Sequence, residues 1–364
     1  MAGAAAAVSP PVEKADATAW IAVAAGALGA MLATLDISIV NSALPTIQGE
    51  IGATGTEGTW IATAFLVAEI IIIPLSAWLE RLLGLRTLLI VAVSAFTAFS
   101  VLCGIATDLT TMIIGRTGQG FMGGALIPTA MTIVAKRLPP SQQPIGMALF
   151  GMTVVLGPVM GPLVGGWLTE NLSWHYAFFV NVPVCALLLA LLFIGLPHEK
   201  PDWVYLREAD WAGIAGMILG LGGLTIVLEE GHREEWFDST LIAQLTLMTV
   251  VGFALLTYGQ LYARKPVLKL RLMLSRQFAS VVVMALALGM VMYGSTYVIP
   301  QFLAIISDYN ALQTGLVIFW MGVPAFLLMP VLPFMIRRIH IRIAVGAGMF
   351  IMALSCFVSI NLTA

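Results

Sequence analysis

Three ionisable side chains stand inside stretches that are otherwise hydrocarbon. Asp36 sits in LATLDISIVNSALP, residues 32–45, Glu69 sits in FLVAEIIIIP, and Arg116 opens GRTGQGFMGGALIP. A charge at the centre of a bilayer costs at least about 2.5–3.5 kcal/mol, so each such residue marks a task. A carboxylate can gain or lose a proton as its surroundings alternate between wet and dry, and a neighbouring cation opposes the gain. Arginine keeps its charge at any accessible pH, so it cannot carry a proton, but it can hold a carboxylate ionised. Asp36, Arg116 and Glu69 are therefore the candidate proton-coupling groups. Gln119 shares the face of Arg116, three residues on. The plainer reading of Asp36 is a fixed hydrogen bond to Ser38, Asn41 or a neighbouring helix. Glu69 could instead contact a cationic cargo or pack against a hydroxyl. Glu229 and Glu230 lie at the edge of another apolar run.

Other chemistries find little support. Cys103, Cys185 and Cys356 sit alone in apolar runs, with no CxxC or Cys/His cluster, and read as buried inert thiols. GQGFMG fits a glycine-rich dinucleotide pattern, but no strand precedes it and no acid follows about 20 residues on. Its glycines, Gly120, Gly123 and Gly124, suit close helix contact instead. No nucleophile–base pair is visible, so an enzyme is not expected. No metal, cofactor or nucleic-acid partner is expected either.

The elements that hold these residues are set by composition. The chain has 364 residues, 60% hydrophobic and 10% charged, where a soluble domain carries about 25% charged residues. That places it in lipid. Apolar runs near the length of about 20 that a bilayer demands recur at 20–45, 58–79, 86–106, 110–135, 143–168, 176–196, 210–229, 240–262, 278–303, 312–336 and 342–361. They must be helices, because backbone polar groups in lipid need partners within the segment. With the N-terminus in the cytoplasm, 15 of the 17 Lys and Arg fall in inside loops or the tail. This follows the positive-inside rule. No signal peptide is recognisable in the first residues, which read as a tail.

PLSAWLERLLGLR, 74–86, and PVLPFMIRRIHIR, 330–342, align at an offset of 256: Pro74 with Pro330, Arg81 with Arg337, Arg86 with Arg342. Two six-helix halves would repeat after about 180–200 residues, so two helices are surplus. The expected fold is all-α and membrane-embedded, with two six-helix bundles plus two inserted helices. About eleven helices are present and the second bundle is incomplete. The expected parts are a disordered tail at 1–18, a six-helix bundle at 19–197 and a linker at 198–208. The inserted pair follows at 209–263, and three helices of the second bundle at 264–364. An ending directly after an apolar run reads as an interruption.

In VLGPVMGPLVGG, Gly157, Gly161 and Gly165 recur every four residues on one helical face, and Pro158 and Pro162 break the hydrogen-bond ladder. That is either a kinked packing seam or a face suited to rocking. Phe150, Tyr293, Tyr297, Phe319 and Trp320 could line an adaptable cargo cavity, although ordinary packing or lipid contact explains each as well.

These segments together resemble the major facilitator superfamily, more narrowly its fourteen-helix drug:proton antiporters of the EmrB/QacA type. LDISIVNSALPTI resembles that group's span-1 motif, GRTGQGFMGGALIP its span-4 arginine motif, and GPVMGPLVGG its span-5 antiporter motif. SWHYAFFVNVP, 173–183, resembles the entry to span 6, and LEEGHREEWFDS, 228–239, the close of span 7. The loop after span 2 departs from the family pattern. Ala77 replaces a glycine, Glu80 and Arg81 replace an alanine–aspartate pair, and Gly84 and Arg86 persist. The resemblance implies proton coupling by Asp36, charge relay by Arg116 with Gln119 and support from Asn41, and a gating seam at Gly157, Pro158, Gly161, Pro162 and Gly165. It implies proton-driven export of hydrophobic or cationic small molecules from the inner membrane. A periplasmic adaptor and an outer-membrane channel would be partners. The alternatives are an exporter of one metabolite or siderophore, or a truncated fragment that does not transport.

Overall fold

The computed structural model describes residues 14–54, 57–263, 265–268, 275–305 and 311–359. Regular structure among them is helical: α1 (Ala17–Glu50), α2 (Trp60–Leu83), α3 (Leu85–Gly104), α4 (Leu109–Gly123), α5 (Leu126–Arg137), α6 (Gln143–Asn171), α7 (Tyr176–Phe179) and α8 (Asn181–Gly195). There follow α9 (Val204–Arg207), α10 (Trp211–Glu230), α11 (Thr240–Tyr262), α12 (Arg276–Ile305), α13 (Ala311–Leu328), α14 (Leu332–Arg338) and α15 (Ile341–Ser359). Each expected apolar run coincides with one or two of these. Among the described residues, seven helical stretches are long and apolar enough to cross a membrane, and shorter apolar stretches lie within α12, α13 and α15 at residues 276–292, 319–328 and 341–357.

Aspartates start three of the helices by accepting an orphan backbone N–H. Asp16 accepts from Ala19 at 2.8 Å, Asp108 from Thr111 at 2.9 Å, and Asp210 from Gly213 at 2.7 Å. α1 has 34 residues, about 50 Å at 1.5 Å per residue, so it outreaches a hydrocarbon core of about 30 Å. At its C-terminal end Trp174 donates its indole N–H to Glu50 at 2.8 Å, tying α1 to the approach to α7.

Three runs expected as single helices are each divided: 110–135 into α4 and α5, 176–196 into α7 and α8, 312–336 into α13 and α14. Each division lies at or next to the residue four before a proline. Pro128, Pro183 and Pro333 have no N–H to give to the carbonyls of Gly124, Phe179 and Met329. Pro45, Pro74, Pro158 and Pro162 sit inside unbroken helices.

α1 is the axis around which α5, α6 and α8 pack, while α4 fills the space between α2 and α3. Ala22, Leu32, Phe65, Val93, Phe96, Leu126 and Leu188 close the core between them. α10 and α11 pack on each other through glycines: a side chain at Gly216 or Gly220 would meet the α11 backbone around Gly252. α10 then lies on α2. α13 and α14 lean on α6, where Val159 fills the space above Gly322 and Met329 covers Gly151.

Candidate functional site

Asp36 and Arg116 meet in the middle of the first bundle. They are 0% and 1% exposed, and Arg116 Nη1 lies 2.7 Å from Asp36 Oδ2. The guanidinium also donates through Nε to the Ile61 carbonyl at 3.2 Å and through Nη1 to Gln119 Oε1 at 3.1 Å. Its carbon sits 4.2 Å from the centre of the Phe65 ring. A buried cation is tolerable only when its donors and its charge both find partners. Here α1, α2 and α4 supply them.

The other carboxylate oxygen, Oδ1, accepts from Gln119 Nε2 at 3.2 Å and from Asn181 Nδ2 at 2.7 Å. Ser100 Oγ accepts from both amides, at 2.8 and 3.3 Å. Cys103 Sγ donates to Gln119 Oε1 at 3.4 Å, so this thiol takes part in the network. Five helices (α1, α2, α3, α4 and α8) thus converge on one carboxylate. Sequence alone singles out neither Asn181 nor Ser100, and gives Cys103 as an inert thiol, not as a donor to Gln119. Asn181 was legible as the one amide in FFVNVP, whereas a serine and a cysteine in an apolar helix carry no signal of their own.

Asn41 does not join this network. It is exposed on α1. Five residues of helix turn it about 140° away from Asp36, and the asparagine that reaches the carboxylate is Asn181. Ser38 faces α6 instead of the acid. Glu69 is buried on α2, where its Cα and side chain press on Gly124 near the break between α4 and α5. Cys356 is exposed on α15, unlike the other two cysteines.

The glycine seam of α6 lies against α1. A Cβ at Gly157 would collide with Thr34, at Gly161 with Ser38, and at Gly165 with Ser42 and the Ile39 backbone. Thr34 and Ser42 turn their hydroxyls back onto α1 carbonyls, Ser42 to Ile39 at 2.7 Å, which leaves a smooth surface. Pro158 is exposed and Pro162 half-buried, both off the contact face.

In the last turn of α2, Glu80 pairs with Lys136 of α5 at 2.6 Å. Gly84 is buried with φ +80°, a conformation glycine adopts freely. Glu199 packs over it and accepts from the Leu85 N–H at 2.7 Å. Arg86 donates to the Leu196 carbonyl at 3.0 Å, while Arg81 is exposed.

Of the expected cavity residues, Phe150 is half-buried on α6. Phe319 and Trp320 meet edge to face on α13 at 5.8 Å, with Trp320 66% exposed. The side chains of Tyr293 and Tyr297, and of Arg337 in the repeat, lie outside the described residues. Glu230, at the end of α10, is buried. It accepts from Thr63 at 2.6 Å and from Arg233 at 3.1 Å, and Arg233 also contacts Thr59.

The sequence pattern of the Major Facilitator Superfamily matches residues 26–364. The colistin resistance protein EmrB of Acinetobacter baumannii is 33% identical over 346 residues, which are 95% of this chain and 68% of that one. The chain belongs to the major facilitator superfamily, in its EmrB-type branch. Superfamily members are transporters, not enzymes. The probable multidrug resistance protein EmrY of Escherichia coli is 32% identical over 349 residues, 96% of this chain and 68% of its own length. The proton:xylose symporter XylE shares the fold, with a TM-score of 0.58 at 14% identity over 88% of this chain and 69% of its own. The chain is therefore a multi-pass membrane protein with the superfamily's helical fold.

Proposed function

We propose that the chain acts as a proton-driven efflux transporter, exporting apolar or cationic small molecules by alternating access. The observation that carries this reading is the Asp36 carboxylate, closed off from solvent and held by Arg116, Gln119 and Asn181. An ionised Asp36 satisfies all three donors. A proton there cancels the charge and turns an acceptor oxygen into a donor. Arg116 then loses its ion pair but keeps the Ile61 carbonyl, Gln119 and the Phe65 ring. The contact of α1 with α4 weakens only while the proton is bound, and a differential of that kind can shift a two-state equilibrium. Each charge moved across 100 mV contributes about 2.3 kcal/mol.

Cargo would enter between the halves, where α13 leans on α6. The names of the relatives, which speak of colistin and multidrug resistance, support the cargo class. The loop charges support an N-terminus in the cytoplasm. The family resemblance supports an inner-membrane location and export through a periplasmic adaptor and an outer-membrane channel.

The test is dye efflux from vesicles under an imposed pH gradient, wild type against Asp36→Asn. The gradient is expected to accelerate efflux by the wild type and to leave the variant unchanged. Equal acceleration in both would remove Asp36 from the coupling role.

A further inference from the structure

At the end of the first bundle where the basic loops gather, a cavity of about 340 Å³ opens between α3 and α8. It is lined by Arg86, Thr87, Ile90, Val91, Phe193 and His198. Arg86 stands on its wall, fixed by its bond to the Leu196 carbonyl and by the Phe193 ring, 5.4 Å from the guanidinium carbon. A second cavity of about 170 Å³ shares Arg86 and brings in Lys136, Arg137 and one acid, Glu199, whose carboxylate is engaged by the Leu85 N–H. Among the described residues no carboxylate forms an ion pair with Arg86 or Arg137, whereas Lys136 has Glu80. The excess positive charge is thus at Arg86 and Arg137.

The other half of the larger cavity is apolar and faces outward. Val91 is 48% and Phe193 54% exposed, on helices whose outer surfaces lie in lipid. Unpaired cations above an exposed aliphatic and aromatic wall, at the level where a helix leaves the hydrocarbon, match one kind of molecule: an anion with a hydrocarbon tail. A free phosphate would use the cations and leave the wall bare. A neutral lipid would use the wall and leave the cations unanswered. Basic pockets between membrane helices take anionic headgroups for this reason.

We propose that this cavity binds an anionic phospholipid. The phosphodiester would lie against Arg86 and His198, and an acyl chain along Ile90, Val91 and Phe193. Arg137 and Lys136 would add longer-range attraction through the smaller cavity. The site is independent of the transport reading, since it needs neither Asp36 nor a proton gradient.

Native mass spectrometry of the detergent-purified full chain tests it. The protein is mixed with equal amounts of phosphatidylglycerol and phosphatidylcholine, with and without inorganic phosphate. Wild type is expected to retain phosphatidylglycerol preferentially, and Arg86→Gln to retain about fivefold less, the weight of one basic side chain near an anionic headgroup. Lys265→Gln, on another stretch of the basic side, should match the wild type. His198→Gln, on the exposed rim, replaces Arg86→Gln should that variant misfold, and is expected to weaken retention in the same direction. Equal retention of the two lipids, or retention untouched by both Arg86→Gln and His198→Gln, would overturn the site. Displacement of the lipid by millimolar inorganic phosphate would reassign it to a free anion.

Discussion

At Asp36 the question is how a charge survives inside hydrocarbon, and three donors around one carboxylate answer it. Removing Arg116 alone would leave that carboxylate uncompensated, which typically costs about 3–5 kcal/mol. Arg116→Gln is therefore expected to unfold at a clearly lower temperature than wild type in detergent. Adding Asp36→Asn should recover most of the loss by discharging the site, without restoring proton-driven efflux. A double variant no more stable than Arg116→Gln would show that the ion pair is not what fixes these helices. A second acid is accessible to pH in a simpler way. Asp108 caps α4, and its bonds from the Thr111 N–H and hydroxyl hold its carboxyl below the usual range. Its contribution is fully present above about pH 4 and is lost as pH falls through the lower folded-state value. Thermal unfolding of wild type and Asp108→Asn compared at about pH 6 and about pH 3 should show the gap change with pH, because asparagine caps without titrating. The pairing of Asp36 with Arg116 and Gln119 was legible in sequence because ions in an apolar helix stand out. The asparagine was assigned to the wrong helix. Asn41 is near in sequence but turned away, whereas Asn181 is 145 residues distant and 2.7 Å away.

Helix α6 shows what glycine spacing does and does not disclose. The four-residue repeat announced a close approach, but not to which helix, since one face of a lone sequence has no partner written on it. The structure seats it on Thr34, Ser38 and Ser42 of α1, the side of α1 turned away from Asp36. A methyl at Gly165 would come within 2.8 Å of the Ile39 carbonyl oxygen, whereas at Gly166 nothing lies within 4 Å. Gly165→Ala should therefore push α6 off α1 and cost about 1–3 kcal/mol, the usual penalty for overpacking. Gly166→Ala should be close to neutral. Unfolding temperatures of the two neighbours separate a tight seam from a general intolerance of alanine there. The divided helices were hidden for another reason. Prolines lie in or beside both the divided and the unbroken helices, and only local packing decides whether the lost hydrogen bond breaks the helix or is absorbed in a bend.

For the molecule as a whole, the hairpin of α10 and α11 is fastened to α2 by Glu230, Thr63, Thr59 and Arg233. That fastening predicts that the hairpin travels with the first bundle. Thr63→Cys with Glu230→Cys, joined through disulfides by a short bis-methanethiosulfonate reagent, should leave efflux at wild-type rate. Loss of efflux on cross-linking, restored by reduction, would show that the hairpin slides over α2 during transport. The eleven apolar runs were readable from hydropathy, because lipid imposes them on every span separately. The fastening was not, because Glu230 carried the sign of a span edge and its partners are ordinary threonines. The closure of Asp36 on every side bears on thermodynamic economy. On the proposed proton-driven reading, a carboxyl sealed from solvent is a poor wire. Hydrogen ions would not trickle past it at rest, and each would wait for the helices to part.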